Sequence, residues 1–177
     1  KPYYFKYRVR NGNKGWLEFV SSKNSGEYDF AGLHDQIMDG LEVQVYLQDG
    51  TRIYDNCVVM YRVKVADNWL KWVSNGSLDI MDSIQRRFLL TGELDPDATF
   101  AGDARKGRIQ AVEFRVYERI GWTPEPGGSD GNFEEINGGL QEYLQNGTWS
   151  LLYPQLPVGE LDGVRLLNKS KDFYLRY

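Results

Sequence analysis

Aromatic side chains beside turns are the residues of this sequence best suited to holding a ligand. Four of them do not recur elsewhere in the chain and lie next to turns or in predicted loops: Trp122, Tyr28, Tyr54 and Tyr153. Loops on a rigid β scaffold commonly carry binding residues, and a flat aromatic face suits the C–H face of a pyranose ring. We predict that these four residues bind the ligand, with ordinary loop packing as the alternative for each.

One Gly-rich segment combines hard oxygen ligands of the kind that suit a calcium ion. Its candidate ligands are Asp130, Asn132 and Glu134, with Glu135 beside them. The spacing falls short of an EF-hand loop, and a solvated acidic loop is the alternative interpretation. A binding assay on this protein should therefore be run with and without calcium.

The residues that commonly carry out catalysis are sparse in this sequence. His34 is the only histidine and Cys57 the only cysteine, so a catalytic triad, a Cys-His pair and a zinc site all lack residues they need. Acids at positions 93, 95 and 97 flank an insertion, but nothing places two of them across a cleft, as a glycosidase requires. We predict that the chain is not an enzyme and needs no cofactor.

The composition favours an all-β chain and argues against two classes of partner. The 177 residues include twelve Tyr, eight Phe and five Trp, and aromatic residues are typical of strands. The net charge is −4 and the 21 basic residues form no run, which argues against nucleic acid. No apolar run approaches the length of a membrane span. The chain starts without a Met, and we interpret it as a processed or excised piece of something longer.

Four sequence blocks recur in the same order, and they indicate three copies of one β unit. In the first copy they are residues 7–9, 15–21, 30–32 and 38–45, and in the second 61–63, 68–74, 100–102 and 109–116. A more divergent third copy has residues 143–145, 147–149, 158–159 and 161–166. Within the blocks apolar and charged residues alternate, as in half-buried antiparallel strands.

Two kinds of residue hold the same place in all three copies. Trp16, Trp69 and Trp149 are equivalent, and we predict one large core anchor per copy, with sugar-stacking platforms as the alternative. The closing blocks share a small residue, Gly40, Ala111 or Gly163. A position that stays small predicts the close approach of another segment or of a bulky ring.

The segments between the blocks predict how the copies connect. Asp49-Gly50 predicts a hairpin, and apolar residues spaced along positions 78–90 predict a short helix inserted in the second copy. Residues 121–139 predict a long loop. The last stretch, 172–177, has no strand partner in its own copy and can pair with residues 3–7 to close the ring.

Together these features predict an all-β, pseudo-threefold repeat closed into one domain, with a short helical insertion in the second repeat. The repeats span about 1–57, 58–121 and 122–177. Units this short cannot bury a core alone, so the three must share one. Both a β-prism and a β-trefoil satisfy this pattern.

The second copy resembles a known family of repeats. Tyr-Arg-Val, Trp-Leu-x-Trp-Val, Ala-Gly and Arg-Ile-Gln-Ala-Val-Glu-Phe, at residues 61–73 and 101–116, look like the clostridial hydrophobic repeats with a Gly-Trp signature, known as ChW repeats. Arg10 and Lys64 stand where that family often has a His, and its short Gly-Thr turn is missing. The resemblance implies a secreted or surface protein of a Gram-positive bacterium that binds carbohydrate, cell wall or other proteins.

The sequence therefore predicts an extracellular, non-catalytic module that binds peptidoglycan or another polysaccharide. A protein–protein adhesion or assembly module on a cell surface is the alternative. We expect the partner to be chosen where the copies differ, in the insertion at 77–99 and the loop at 121–139. The recurring residues are expected to build the body of the domain.

Overall fold

The computed structural model describes residues 2–24, 30–75, 83–120, 133–136, 138–139, 141–144, 161–169 and 172–176. These residues form fifteen strands and one helix, which confirms the predicted all-β class. In chain order the elements are β1 (Tyr3–Asn11), β2 (Gly15–Trp16), β3 (Val20–Ser21), β4 (Ala31–Gly32), β5 (Met38–Leu47), β6 (Arg52–Ile53), β7 (Cys57–Val65), β8 (Asn68–Trp69), β9 (Val73–Ser74), α1 (Ser83–Leu90), β10 (Ile109–Arg119), β11 (Phe133–Ile136), β12 (Gly138–Gly139), β13 (Gln141–Leu144), β14 (Leu161–Lys169) and β15 (Asp172–Arg176).

The strands are arranged in three five-stranded sheets. Sheet I has the order β2-β1-β5-β6, with β3 also on β1, and sheet II has the order β11-β10-β7-β8, with β9 also on β7. Sheet III has the order β12-β15-β14-β13, with β4 also on β14. The two long central pairs, β1–β5 and β7–β10, are antiparallel.

Alternating burial along the long strands confirms the predicted period of two. Tyr7 and Val9 of β1 are buried in the main hydrophobic core, whereas Arg8 and Arg10 are only partly buried. The inward residues of β1, β5, β7 and β10 all belong to that core. Since successive side chains of a strand point to opposite faces, sheets I and II each keep an outer face away from the core.

The hairpin predicted at Asp49-Gly50 is present between β5 and β6. Val45 pairs with Ile53 and Tyr46 with Arg52 across it. Gly50 has a φ of +94°, a left-handed conformation that glycine adopts without strain. The Asp49 carboxylate accepts a hydrogen bond from the Thr51 amide at 2.8 Å, which fixes the turn.

The helix predicted in the second copy is also present, and α1 begins at Ser83. Leu78 and Met81, two of the residues that predicted it, lie outside the described residues. The other two, Ile84 and Phe88, are buried in a second hydrophobic cluster with outward residues of sheet II. The helix therefore covers the outer face of sheet II.

The predicted pairing of the last strand with the first is wrong. β15 pairs with β14 of its own sheet and with β12. β1 has β5 along one edge and β2 and β3 along the other, so neither edge is free for a further strand. A strand has only two hydrogen-bonding edges, and strands of the first copy occupy both edges of β1.

Two Ala-Gly blocks connect one sheet to another. Ala31 pairs with Val164 and Gly32 with Gly163, which places β4 of the first copy on sheet III. In the same manner Ala101 exchanges two backbone hydrogen bonds of 2.8 Å with Leu41 of sheet I. Gly32 and Gly102 share a positive φ, of 143° and 138°. Main-chain contacts therefore tie β4 of the first copy to sheet III, and the Ala-Gly block of the second copy to sheet I.

A β-bulge recurs at the start of each closing strand. The pairing skips one residue in each of β5, β10 and β14, namely Asp39, Gln110 and Asp162. The small residue that we predicted to pack against a ring comes directly after the skipped residue in each strand. At Gly40 this prediction is confirmed, because a Cβ there would lie 3.3 Å from the Trp16 ring and 3.1 Å from Arg10.

Candidate functional site

Most residues of the predicted ligand site fall outside the described part of the chain. These are Trp122, Tyr28, Tyr153, Asp130 and Asn132. Glu134 lies on β11, where its backbone pairs with Glu118, so it stands in a strand rather than in a loop. Tyr54 is partly buried just after β6, with the Arg52 guanidinium 4.8 Å from its ring centre.

The prediction that the recurring tryptophans anchor the core is wrong for the two that are described. Trp16 is partly buried and Trp69 is 41% exposed, and neither belongs to the core. Across the strand pairs Trp16 lies opposite Arg10 and Trp69 opposite Lys64, whose side chains point outward. Residues opposite each other in a sheet share one face, so both rings are on the outside. Trp149 lies outside the described residues.

On sheet I, an arginine is stacked between two aromatic rings. The Arg8 guanidinium lies 4.7 Å from the Trp16 ring centre and 4.5 Å from that of Phe19. Arg8 also forms an ion pair with Glu42 at 2.8 Å. We call Arg8, Trp16, Phe19 and Glu42 the sheet I ladder. Such cation–π contacts hold the short strands β2 and β3 against the long pair.

Sheet II carries the same arrangement at the equivalent positions. The Arg62 guanidinium lies 5.0 Å from the Trp69 ring centre and 4.6 Å from that of Trp72, and it pairs with Glu113 at 2.6 Å. We call these four residues the sheet II ladder. The signal for both ladders was in the repeat itself, because Arg, Glu and two aromatic residues recur at outward positions of the matching blocks.

An open cleft of about 440 Å³ lies beside the junction between sheet I and the Ala-Gly block of the second copy, residues 100–102. Its walls are two segments of the second copy, the turn between β8 and β9 and the stretch before β10. The lining residues are Leu70, Lys71, Val73, Asp95, Asp97, Ala98, Thr99, Phe100, Ala101, Gly102, Asp103 and Lys106.

The junction with sheet I fixes the aromatic wall of this cleft. Phe100 meets the Trp16 ring edge to face, with 5.2 Å between the ring centres. The Arg10 guanidinium lies 4.9 Å from the Phe100 ring and pairs with Asp39 at 2.7 Å. A Cβ on Gly102 would collide with the Asp39 carbonyl oxygen, so the segment can approach this closely only as glycine. Phe100 is thus held from behind by packed neighbours.

The cleft is lined by both negatively and positively charged side chains. Asp95, Asp97 and Asp103 supply carboxylates, and Lys71 and Lys106 supply ammonium groups. Hydrogen bonds from Arg105, first from its side chain and then from its backbone amide, lower the pKa of Asp103 below its usual value. Asp103 therefore stays ionised, and it also lies 3.9 Å from the Lys106 ammonium.

Two described carboxyl groups have a clearly shifted pKa. The pKa values of Asp49 and Asp103 are both lowered, whereas a general acid uses a raised one. Burial raises the pKa of Tyr3 and Tyr61, but both tyrosines lie in the core and not at the cleft. No group of three or more His, Cys, Asp or Glu gathers into a metal site within the described ranges.

Comparison of the chain with models of protein families, with curated proteins and with solved structures finds no significant match. In the part of the chain that the structure describes, no helix is long and apolar enough to cross a membrane.

Proposed function

We propose that the chain is a non-catalytic module that binds a carbohydrate in the cleft beside Phe100. The observation that carries the proposal is that one aromatic ring, three carboxylates and two ammonium groups line the same open cleft. Sugars present both an apolar C–H face and a ring of hydroxyl groups, and this lining offers partners for each. The volume of about 440 Å³ falls in the range of small-ligand sites.

The resemblance to ChW repeats supports a particular setting for this activity. Such repeats occur on secreted and surface proteins of Gram-positive bacteria, so we propose an extracellular or cell-surface location. Peptidoglycan or another wall polysaccharide is then the proposed partner. The cleft supports this class because it is open and because Lys71, Asp97 and Thr99 of its lining are exposed.

The architecture we propose is a pseudo-threefold β-prism. Three observations support it: there are three separate five-stranded sheets, the same bulge recurs in three closing strands, and two Ala-Gly blocks dock on a closing strand of another sheet. Separate sheets favour a prism over a β-trefoil, whose barrel strands form one closed sheet. In this arrangement the cleft lies at a junction between repeats.

Protein–protein adhesion is the second candidate function, and one observation favours it. Phe19 is 36% exposed and Trp69 41% exposed, at the ladders on the outer faces of sheets I and II. Exposed aromatic residues of this kind are enriched in protein interfaces. An adhesion module would use these outer faces rather than the cleft.

A pull-down on insoluble glycans tests the proposal. Purified peptidoglycan and a set of insoluble polysaccharides are incubated with the wild-type protein, with and without calcium, and the bound fraction is measured. The cleft variant Lys71→Ala/Asp97→Ala removes one exposed charge of each sign from the cleft. The matched control Lys14→Ala/Glu18→Ala makes the same charge change at exposed loop positions on either side of β2.

We expect the wild type and the control to be retained on at least one glycan, and the cleft variant to bind roughly tenfold more weakly. Trp122→Ala and Tyr153→Ala form a second pair, which tests the sequence-based prediction that those loops bind the ligand. Retention of the cleft variant at the wild-type level, or no retention of the wild type on any glycan, would contradict the proposal and favour adhesion.

A further inference from the structure

Sheets I and II carry equivalent three-residue runs on their outer faces, and the two runs differ at one position. In sheet I the run is Glu42, Gln44 and Tyr46. The Tyr46 hydroxyl donates to the Gln44 side-chain oxygen at 2.7 Å, and the Gln44 amide donates to Glu42 at 2.5 Å. Each donor therefore has an acceptor, because a glutamine side chain supplies one group of each kind.

In sheet II the corresponding residues are Glu113, Arg115 and Tyr117. Arg115 donates to Glu113 at 2.9 Å, as Gln44 does to Glu42. A guanidinium has no acceptor, however, so it cannot receive the hydroxyl hydrogen of Tyr117. Tyr117 is 4% exposed, and its buried hydroxyl reaches no acceptor within the described chain, with the Arg115 guanidinium as the neighbouring donor. A buried hydroxyl without an acceptor is costly, which makes this position stand out.

A second guanidinium reaches the same tyrosine from the inserted helix. The Arg87 guanidinium lies 5.4 Å from the Phe88 ring centre and 6.0 Å from that of Tyr117. Arg87 is exposed, and the side chain of Arg115 is 39% exposed, so solvent reaches both groups. Glu113 is already shared between Arg62 and Arg115, and the backbone of Tyr117 pairs with that of Glu135 on β11. Among the side chains that the structure describes here, three guanidinium groups therefore face one carboxylate.

We propose that an oxyanion group, a carboxylate, phosphate or sulfate, binds on the outer face of sheet II between Arg87 and Arg115. Such a group supplies the acceptor oxygens that Gln44 supplies in sheet I, to two guanidinium groups and the Tyr117 hydroxyl. Charge-assisted hydrogen bonds from arginine to an oxyanion are among the strongest in proteins. The exposed Arg87 side chain moves aside to admit the anion.

This oxyanion site is separate from the cleft of the proposed function. None of Arg87, Arg115 and Tyr117 lines the cleft, and the site would bind a free anion or an anionic group on a polymer. A polysaccharide that carries acidic groups would then contact the module in two places. The oxyanion site does not require the cleft to bind sugar, so the two proposals fail independently.

Titration with inorganic phosphate tests the site, with chloride keeping the ionic strength constant. Binding is followed through the side-chain Nε–H signals of the arginines in ¹H–¹⁵N NMR spectra. The decisive variant is Arg115→Gln, which rebuilds in sheet II the Glu-Gln-Tyr run of sheet I. Arg52→Gln removes an exposed arginine of sheet I and is the matched control. Tyr117→Phe removes only the hydroxyl.

We expect saturable phosphate binding by the wild type and the control. Arg115→Gln should weaken it about tenfold or more without lowering the melting temperature, because the introduced glutamine can accept from Tyr117 as Gln44 does from Tyr46. Tyr117→Phe should weaken it roughly threefold, with the fold intact. Unchanged binding in Arg115→Gln, or no saturable binding by the wild type, would overturn the proposal.

Two further probes separate the sources of the anion. Polygalacturonate carries carboxylates on a polymer, and dextran is a neutral polymer. Binding of polygalacturonate that inorganic phosphate displaces in the wild type, but that is absent in Arg115→Gln, would assign the site to an anionic polymer. Binding of phosphate without polygalacturonate would restrict it to small free anions, and equal binding of dextran would contradict an oxyanion site on this face.

Discussion

The outer faces of sheets I and II carry the same ladder but differ in what covers it. On sheet I the ladder is open, and Phe19 at its end is 36% exposed. On sheet II the equivalent Trp72 is 2% exposed and packs edge to face on Phe88 of α1, with 5.6 Å between the ring centres. The repeat therefore fixes the ladder, and the helix covers the Trp72 end of the sheet II ladder while Trp69 at the other end stays 41% exposed.

The neighbouring outward residues also differ between the covered and the open face. Tyr4 and Lys6 of β1 correspond to Val58 and Met60 of β7. Val58 and Met60 are fully buried beneath α1, whereas Lys6 is partly buried and lies 4.6 Å from the Tyr46 ring. An apolar outward face costs free energy unless something covers it. The apolar residues on this face are therefore stable there because α1 buries them.

The largest predicted difference in stability loss is between substitutions of Trp72 and Phe19, the aromatic residues at the ends of the two ladders. Trp72→Ala should lower the free energy of unfolding by about 3–5 kcal/mol, because it opens a cavity under α1. Phe19→Ala, at the open position, should lower it by less than about 1 kcal/mol. Urea denaturation of both variants measures this, and equal losses would show that the helix does not distinguish the two faces.

The junction between sheet I and the Ala-Gly block at 100–102 should be the next most sensitive feature. Gly102→Ala should cost about 2–3 kcal/mol, because its Cβ would meet the backbone at Asp39 and its φ is positive. Gly50→Ala, at a positive φ with open space around it, should cost about 1 kcal/mol. Thermal unfolding of the two variants checks the order, and a larger loss for Gly50→Ala would contradict the observed packing.

The acids of the two ladders should also differ. Glu113 pairs with two arginines and Glu42 with one, so Glu113→Gln leaves more unpaired charge. We expect a loss of about 2 kcal/mol for Glu113→Gln and about 1 kcal/mol for Glu42→Gln. Chemical denaturation at neutral pH gives both values, and a reversed order would mean that Arg115 does not depend on Glu113.

The smallest predicted effect concerns two acids whose pKa is lowered for different reasons. Asp49 is held mainly by the Thr51 backbone amide and Asp103 mainly by the Arg105 side chain. Arg105→Gln should raise the pKa of Asp103 towards 3.8 and leave that of Asp49 unchanged. A carbon-detected NMR titration of the carboxyl groups measures both, and a parallel shift would contradict these local causes.

The sign of the linked stability change follows from the direction of these shifts. A carboxyl group with a lowered pKa in the folded state stabilises the protein above its unfolded-state pKa. That contribution is lost as the pH falls through the folded-state pKa. The stability difference between wild type and Asp103→Asn should therefore be constant above about pH 5 and shrink below about pH 4.

The sequence was sufficient for the features that depend on local patterns. Alternation along residues 38–45, the Asp49-Gly50 turn and the apolar spacing before Leu90 predicted a strand, a hairpin and a helix that are all present. The role of Trp16 and Trp69 was predicted wrongly, because a large aromatic residue suggests a core position when its facing partner is unknown. The strand pairing places Trp16 opposite Arg10 and Trp69 opposite Lys64, and this pairing shows that both rings lie on the outer face.

The candidate site could not be predicted because it depends on contacts between copies. Positions 95 and 97 were noted as acids near an insertion, but no sequence pattern brings them beside Lys71 and Phe100. That proximity follows from the pairing of Ala101 with Leu41, about sixty residues away in the chain. The predicted aromatic residues at 122 and 153 remain a prediction for the pull-down to test.

The most direct test of glycan binding in the cleft is an NMR titration with soluble oligosaccharides and peptidoglycan fragments, recorded on uniformly ¹⁵N-labelled protein. We predict that the largest amide shifts cluster at residues 70–73 and 95–106, with saturation, and that Lys71→Ala/Asp97→Ala removes them. Shifts confined to the outer-face residues Phe19 and Trp69, or no saturable shift with any saccharide, would contradict it.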